Sequence, residues 1–256
     1  MNIALILAFL FSIGSMLGWC MELFYRHFVL SKENGVSTWV NPGFLTGPCL
    51  PIYGFGLCVL YLLANLEKYS FIENNILNKL VLFLSMAVFM TLIEYIAGII
   101  FIKGMNVKLW DYSDRKGNIQ GIICPFFSFV WALLGACYYF FIHPYILNAL
   151  AWLSKNLIFS FFIGMFFGVF TIDLIFSANL LVKIRAFAED NRIIVRYEGL
   201  KETVRRTKER QKHKANFIFA MYSETIFAEQ LKSYLEKERE LAAKIKSGIT
   251  KRKGVR

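Results

Sequence analysis

The sequence predicts an all-α integral membrane protein with about five transmembrane helices, a Pro/Gly-rich re-entrant or broken segment, and a helical tail on the cytoplasmic side. Three observations predict it. Of the 256 residues, 57% are hydrophobic and 17% aromatic, above the roughly 45–50% apolar share of soluble domains, and the excess lies in long runs of Phe, Leu and Ile. Charge is divided unevenly: residues 1–182 carry 9 Lys and Arg against 8 Asp and Glu, whereas residues 183–256 carry 20 against 10, so nearly all of the net +11 belongs to the tail. Finally, residues 41–56 read NPGFLTGPCLPIYGFG, three prolines and four glycines that run without a polar break into an apolar stretch. Two regions follow, a transmembrane body over 1–182 and a basic tail over 183–256.

A transmembrane helix needs about 20 mostly apolar residues, and the runs 2–24, 80–102, 121–142 and 157–181 satisfy this. The first has no basic n-region and no small-residue cleavage site, and it exceeds the length of a signal-peptide core, so it is expected to be a retained span. The fifth run is harder. After Pro51 only the 15 residues 52–66 remain, roughly 22 Å of helix, too short for the hydrocarbon core. Residues 145–153 are apolar but short, and are expected at an interface with Tyr145 and Trp152 at headgroup depth.

Five spans place the termini on opposite sides. With the tail inside, the inward loops 25–50 and 103–120 hold Arg26, Lys32, Lys103, Lys108, Arg115 and Lys116, and the outward loops hold Lys68, Lys79 and Lys155. The excess of basic residues predicts a multi-pass cell-membrane protein with its N-terminus outside and its C-terminus in the cytoplasm.

The Pro/Gly stretch then lies on the inward side and must fill the depth that its short helix leaves uncovered. Pro48 and Pro51 lack N–H donors, and Gly47, Gly54 and Gly56 allow close backbone approach. Irregular backbone at membrane depth is tolerated only when buried in protein or lining a wet cavity. The expected structure is one wall of a cytoplasm-facing cavity, with Asn41 and Tyr53 as its polar side chains; the plainer alternative is a surface loop with a tilted helix starting near Phe44.

Three acids fall inside spans, Glu22, Glu94 and Asp173, and such residues are costly enough to mark a function or a paired site. In the expected topology all three share the leaflet of the Pro/Gly stretch. The loop Trp-Asp-Tyr-Ser at 110–113, with Asn118, adds donors and acceptors before a span that opens with Gly121 and is interrupted at Pro125. Two interrupted spans facing one side point to a transporter binding site. The candidate substrate-binding set is therefore Glu22, Glu94, Asp173, Trp110, Asp111, Tyr112, Asn118, Asn41, Gly47, Pro48, Pro51 and Tyr53. The plainer alternative makes Trp110 and Tyr112 an aromatic belt and Asp111 a helix cap.

Little else carries chemistry. The five cysteines show no CxxC pairing and read as buried small apolar residues. His27 and His143 are expected at membrane interfaces and His213 in the solvated tail. There is no HExxH, no GxxxxGK(S/T) and no nucleophile–base motif, so neither metal nor cofactor is expected and enzymatic chemistry is disfavoured. In the tail, Ile193, Tyr197, Leu200 and Val204 follow a 4-3-4 spacing, which fades through 205–214 and resumes with Phe217, Met221, Ala228, Leu231 and Leu235. This predicts two amphipathic helices that meet anionic lipid or a partner protein. Nucleic acid is disfavoured, because ten acids are interspersed.

The order GFLTGPCLPIYGFG, Glu94, WDYS with downstream GNIQGIIC, and Asp173 resembles the bacterial family called Putative ABC-transporter type IV over roughly residues 12–197. The resemblance implies a multi-span bacterial protein of the ABC-transporter permease type. Several members have WxNRGFL where this chain has WVNPGFL, so Pro42 stands in place of a cation. The expectation is a permease-like transport protein with a cytoplasm-facing polar cavity, a separate ATPase subunit and a homodimeric state. The alternatives are a non-transporting scaffold or regulator acting through its tail, and a membrane enzyme acting on lipid head groups.

Overall fold

The computed structural model describes residues 2–30, 41–67, 74–197, 199–201, 231–237 and 240. It is mostly helical, and four helical runs are long and apolar enough to cross a membrane: Ile3–Phe28, Asn75–Gly104, Pro125–Lys155 and Leu157–Asp190. These make it a multi-pass membrane protein. A fifth apolar helix, Pro51–Leu66, is shorter. The chain forms two compact units, one of Met1–Gly104 with Asp111–Leu181, the other of Met105–Trp110 with Val182–Arg256.

In the first unit α1 (Ile3–Tyr25) starts where the Asn2 side chain accepts the Ala4 N–H at 3.1 Å, and it continues as a π-helical turn, Arg26–Leu30. Helix α2 (Pro51–Leu66) opens on Pro51, whose missing N–H costs nothing at a first turn. Its 16 residues span about 24 Å. Helix α3 (Asn75–Ile99) is capped by Asn74, which accepts from the N–H groups of Ile76 and Leu77, and ends in a π turn at Ile100–Gly104. Helix α4 (Pro125–Cys137) passes through a π turn, Tyr138–Ile142, into α5 (His143–Lys155) without leaving helical conformation. The segment expected to lie apart at an interface thus prolongs the preceding helix into a run of 31 residues. Helix α6 (Ser160–Asp190) follows a short 3-10 turn, Leu157–Phe159.

Small residues set the packing. Helices α1 and α2 make the most extensive pair, followed by α3 on α4 and α2 on α3. A side-chain carbon at Gly14, Gly18 or Gly54 would fall within 2.9, 2.3 and 2.2 Å of atoms of the facing helix. Lipid tails give no hydrophobic preference for helix–helix contact, so close backbone approach of this kind supplies the dispersion that holds membrane helices together. Leu10, Leu60, Met86, Met90, Tyr138 and Leu150 form the buried centre. Helix α6 meets α1 through Phe11, whose ring lies 5.5–6.5 Å from those of Phe166, Phe167 and Phe170. His143 is buried rather than at a polar surface, with its Nδ1 2.9 Å from the Tyr138 hydroxyl.

The second unit contains the β structure, a parallel pair of two-residue strands, β1 (Val107–Lys108) and β2 (Val195–Arg196), in the register Val107 to Val195. Both valines are fully buried, with Leu200, Leu231 and Tyr234 nearly so. The expected tail helix does not begin at Ile193. Arg192 adopts a left-handed φ of +52°, its N–H bonds the Glu189 carbonyl, and the Ile193 N–H bonds the Ala188 carbonyl. This is a Schellman ending that stops α6 and turns the chain into β2, so helix resumes only at Tyr197. Val204, Phe217, Met221, Ala228 and the basic stretch 205–214 lie outside the described residues. All five cysteines are free.

Candidate membrane-embedded polar site

Residues 41–50 take an irregular course before α2 and are held by contacts from α1 and α6. Asn41 accepts a hydrogen bond from the Trp19 indole N–H of α1, and its amide donates to the carbonyls of Leu45 and Thr46 at 3.0 and 2.8 Å. Asp173 of α6 grips the middle. Its Oδ1 accepts from the Thr46 N–H at 3.0 Å, its Oδ2 from the Gly47 N–H at 2.9 Å, and the Ser177 hydroxyl one turn on adds 3.3 Å. A side chain at Gly47 would put its first carbon 3.0 Å from Oδ2, so glycine leaves room for the clamp. The Leu50 N–H then bonds the Ser15 carbonyl of α1 at 3.0 Å. Proline at positions 48 and 51 leaves no N–H to satisfy there. Pro42 is fully buried.

The other two acids join one network. Glu22 binds Arg26 through Oε1 at 2.8 Å, a one-turn pair on α1, and accepts the Tyr53 hydroxyl through Oε2 at 2.9 Å. The Tyr53 ring lies 6.1 Å from that of Trp131 on α4. The Trp131 indole N–H donates to Glu94 Oε2 at 3.0 Å, and the Tyr112 hydroxyl donates to Oε1 at 3.0 Å. Glu94 is only 4% exposed, with both carboxylate oxygens held by neutral donors. Tyr112 stacks on Phe127 at 4.5 Å, and its N–H bonds the Gly121 carbonyl at 2.8 Å. Burial, and after it the charge of Glu94, pushes the Tyr112 phenol well above its usual range, so it acts as a hydrogen-bond donor throughout the physiological range.

The predicted residues therefore divide. Glu22, Tyr53, Glu94 and Tyr112 meet in one network, while Asn41, Gly47 and Asp173, with Pro48 and Pro51, build the irregular segment leading into Tyr53. Asn118 and Asp111 shape the loop: the Asn118 amide donates to the carbonyls of Ser113 and Arg115 and its oxygen accepts the Gly121 N–H, while Asp111 accepts from the Ser113 N–H and hydroxyl. Trp110 belongs to the other compact unit. Sequence reasoning missed Trp19, Arg26, Trp131 and Ser177. Arg26 and Ser177 each stand four residues after an in-span acid, the spacing that makes helix neighbours. Trp131 is a tryptophan inside a span rather than in an interfacial belt, which was a usable signal. Among the described residues no three metal-ligating side chains converge.

The clamp makes a testable prediction. Asp173→Asn keeps one acceptor but turns an N–H donor toward one of the two backbone amides. Hydrogen bonds to charged acceptors contribute about 1.5–3 kcal/mol. Amide exchange at Thr46 and Gly47 should accelerate by about tenfold or more in the variant; unchanged exchange would show that Asp173 does not fasten the segment.

No curated protein and no solved structure matches the chain. The sequence profile of the family described as Putative ABC-transporter type IV matches residues 9–178, a stretch that takes in Glu22, Asn41, Tyr53, Glu94, Tyr112, Trp131 and Asp173. Because that match covers more than half of the 256 residues, the chain belongs to the Putative ABC-transporter type IV family.

Proposed function

We propose that this chain is a permease-like membrane transport protein that works with a separate ATPase subunit, and that its polar network lines a cavity opening to the cytoplasm. The observation that carries this reading is the linked set Arg26–Glu22–Tyr53–Trp131–Glu94–Tyr112, drawn from α1, α2, α3, α4 and the loop before α4. A purely structural acid needs one partner, whereas two acids bridged by aromatic donors across several helices make a surface that a substrate can occupy. Residues 41–50 with α2 serve as the fifth, broken crossing, since irregular backbone at membrane depth is found where it is buried or lines a cavity. The termini then lie on opposite sides, the tail in the cytoplasm, and two copies assemble because one copy offers few helices for a pathway.

The test is purification of the chain, tagged at its N-terminus, from its host membrane in mild detergent. A stoichiometric ATPase subunit is the expected companion. A homo-oligomer without one removes the ATPase from the proposal and leaves an ion-coupled carrier or an anchored regulator.

The second reading is a scaffold or regulator acting through its tail. What favours it is that residues 105–110, 182–197 and 199–201 fold with 231–237 around buried Val107, Val195, Leu231 and Tyr234, so the described part of the tail is a built body. Under it, deleting 201–256 abolishes function while Glu94→Gln is silent.

A further inference from the structure

We infer that the substrate of this site is a small organic cation carrying an ammonium group, a conclusion that rests on the transport reading of the same site. The argument is one of charge and of ring chemistry. Glu22 has its counter-charge, Arg26, at 2.8 Å, and both side chains are 22% exposed. Glu94 lies deep, 4% exposed, and among the described residues only neutral donors, the Tyr112 hydroxyl and the Trp131 indole, reach its oxygens. A buried carboxylate is costly without a positive partner, and hydrogen bonds from neutral donors orient it without cancelling its charge. Among the described residues the network carries two carboxylates and one cation, which leaves room for one further positive charge.

The rings select the kind of cation. Tyr53 and Trp131 lie 6.1 Å apart and Tyr112 stacks on Phe127, so the side chains that reach Glu94 are aromatic, and among the described residues no three metal-ligating side chains converge. Aromatic faces beside a carboxylate are the chemistry that recognises ammonium groups, the carboxylate supplying charge and the rings supplying polarisable contact to the carbons around the nitrogen. A carboxylate- or phosphate-bearing substrate would meet uncompensated negative charge at the deep end. The partly exposed Glu22–Arg26 pair marks the accessible end of the network and Glu94 the buried end. The same ammonium chemistry is available from a soluble amine or from an ethanolamine lipid headgroup.

The test uses the full chain in nanodiscs of phosphatidylglycerol, titrated calorimetrically with tetramethylammonium, ethanolamine, potassium and acetate. Saturable binding of tetramethylammonium or ethanolamine, weakened by about tenfold or more in Glu94→Gln and in Trp131→Leu, is the expected result. If phosphatidylethanolamine built into the disc competes with the soluble probes, the headgroup is the source of the ammonium; if it does not, a soluble amine is. Binding of potassium as strong as that of tetramethylammonium, binding of acetate instead, or no binding of any probe up to tens of millimolar overturns the assignment. Complementation of a host lacking the protein separates the two levels. Loss of function in Glu94→Gln without ammonium binding removes the substrate class and leaves the site, whereas a silent Glu94→Gln removes the site itself.

Discussion

Glu94→Gln inserts and folds as the parent chain does, and its activity falls on the order of a hundredfold. The first half of that expectation comes from hydrogen-bond geometry. Glu94 accepts from Trp131 at 3.0 Å and from Tyr112 at 3.0 Å. Glutamine keeps one acceptor oxygen, which can serve the indole N–H, a donor only. Its amide then faces the Tyr112 oxygen, and a hydroxyl can reverse its role and accept. The neutral side chain is therefore accommodated with both bonds retained, and the cost of burying a charge disappears at the same time. The second half comes from what is lost. Glutamine has the shape of the acid but not its charge, and removing one member of the desolvated charge pair that Glu94 would form with the proposed cationic substrate costs about 2–5 kcal/mol. Yield and thermal midpoint in detergent check the fold, and complementation in a host that needs the protein checks activity. A fully active Glu94→Gln would mean that Glu94 only ties the Tyr112 loop to α4. Trp131→Phe and Tyr112→Phe should then resemble each other and act on stability alone.

Much of the body was legible because membrane spans are written in runs of composition, and the four long apolar helices lie where the runs do, with shifts at their ends. The shifts have local causes. Pro125, not Gly121, starts α4, because residues 119–123 are occupied by a tight turn with left-handed φ at Gln120 and Gly121. The break expected near residue 143 is bridged by continued helix, the π turn Tyr138–Ile142 leading directly into α5 ahead of Pro144. The candidate acids were legible because charge inside a span is rare and costly. Their partners were not, since Tyr53 meeting Glu22 and Trp131 meeting Glu94 depend on helix rotation and on which helices are neighbours, and hydropathy carries neither. The pairing of Val107 with Val195 lay further beyond reach. Two-residue strands separated by nearly ninety positions leave no periodic signal, and the turn that ends α6 places Arg192, and not the usual glycine or asparagine, at its left-handed position.

Gly54→Ala destabilises the membrane body by about 1–3 kcal/mol, whereas the same change at Gly164 or Gly168 leaves it unchanged or slightly more stable. The added carbon at Gly54 would lie 2.2 Å from the Ser15 hydroxyl oxygen and 2.7 Å from the Phe11 carbonyl, distances at which atoms must separate. The Phe11 carbonyl belongs to the backbone of α1, so relief requires the two helices to part and not merely a rotamer to change. Parting has a specific consequence, because Tyr53 is the neighbouring residue and its hydroxyl reaches Glu22 across this contact at 2.9 Å. Gly54→Ala should therefore lower the thermal midpoint and also expose Glu22 and the Tyr53 ring, seen as increased tyrosine quenching by a soluble agent. At Gly164 and Gly168 an added carbon meets nothing within 4 Å, and alanine is the better helix former by about 1 kcal/mol, so α6 within one chain gains or is unchanged. Equal losses at all three positions would show that α6 is closely packed through those glycines against something outside the chain, and would make that helix face the contact between copies. A loss at Gly54 alone assigns the close contact to the α1–α2 pair, where the small residues hold Tyr53 against its acid.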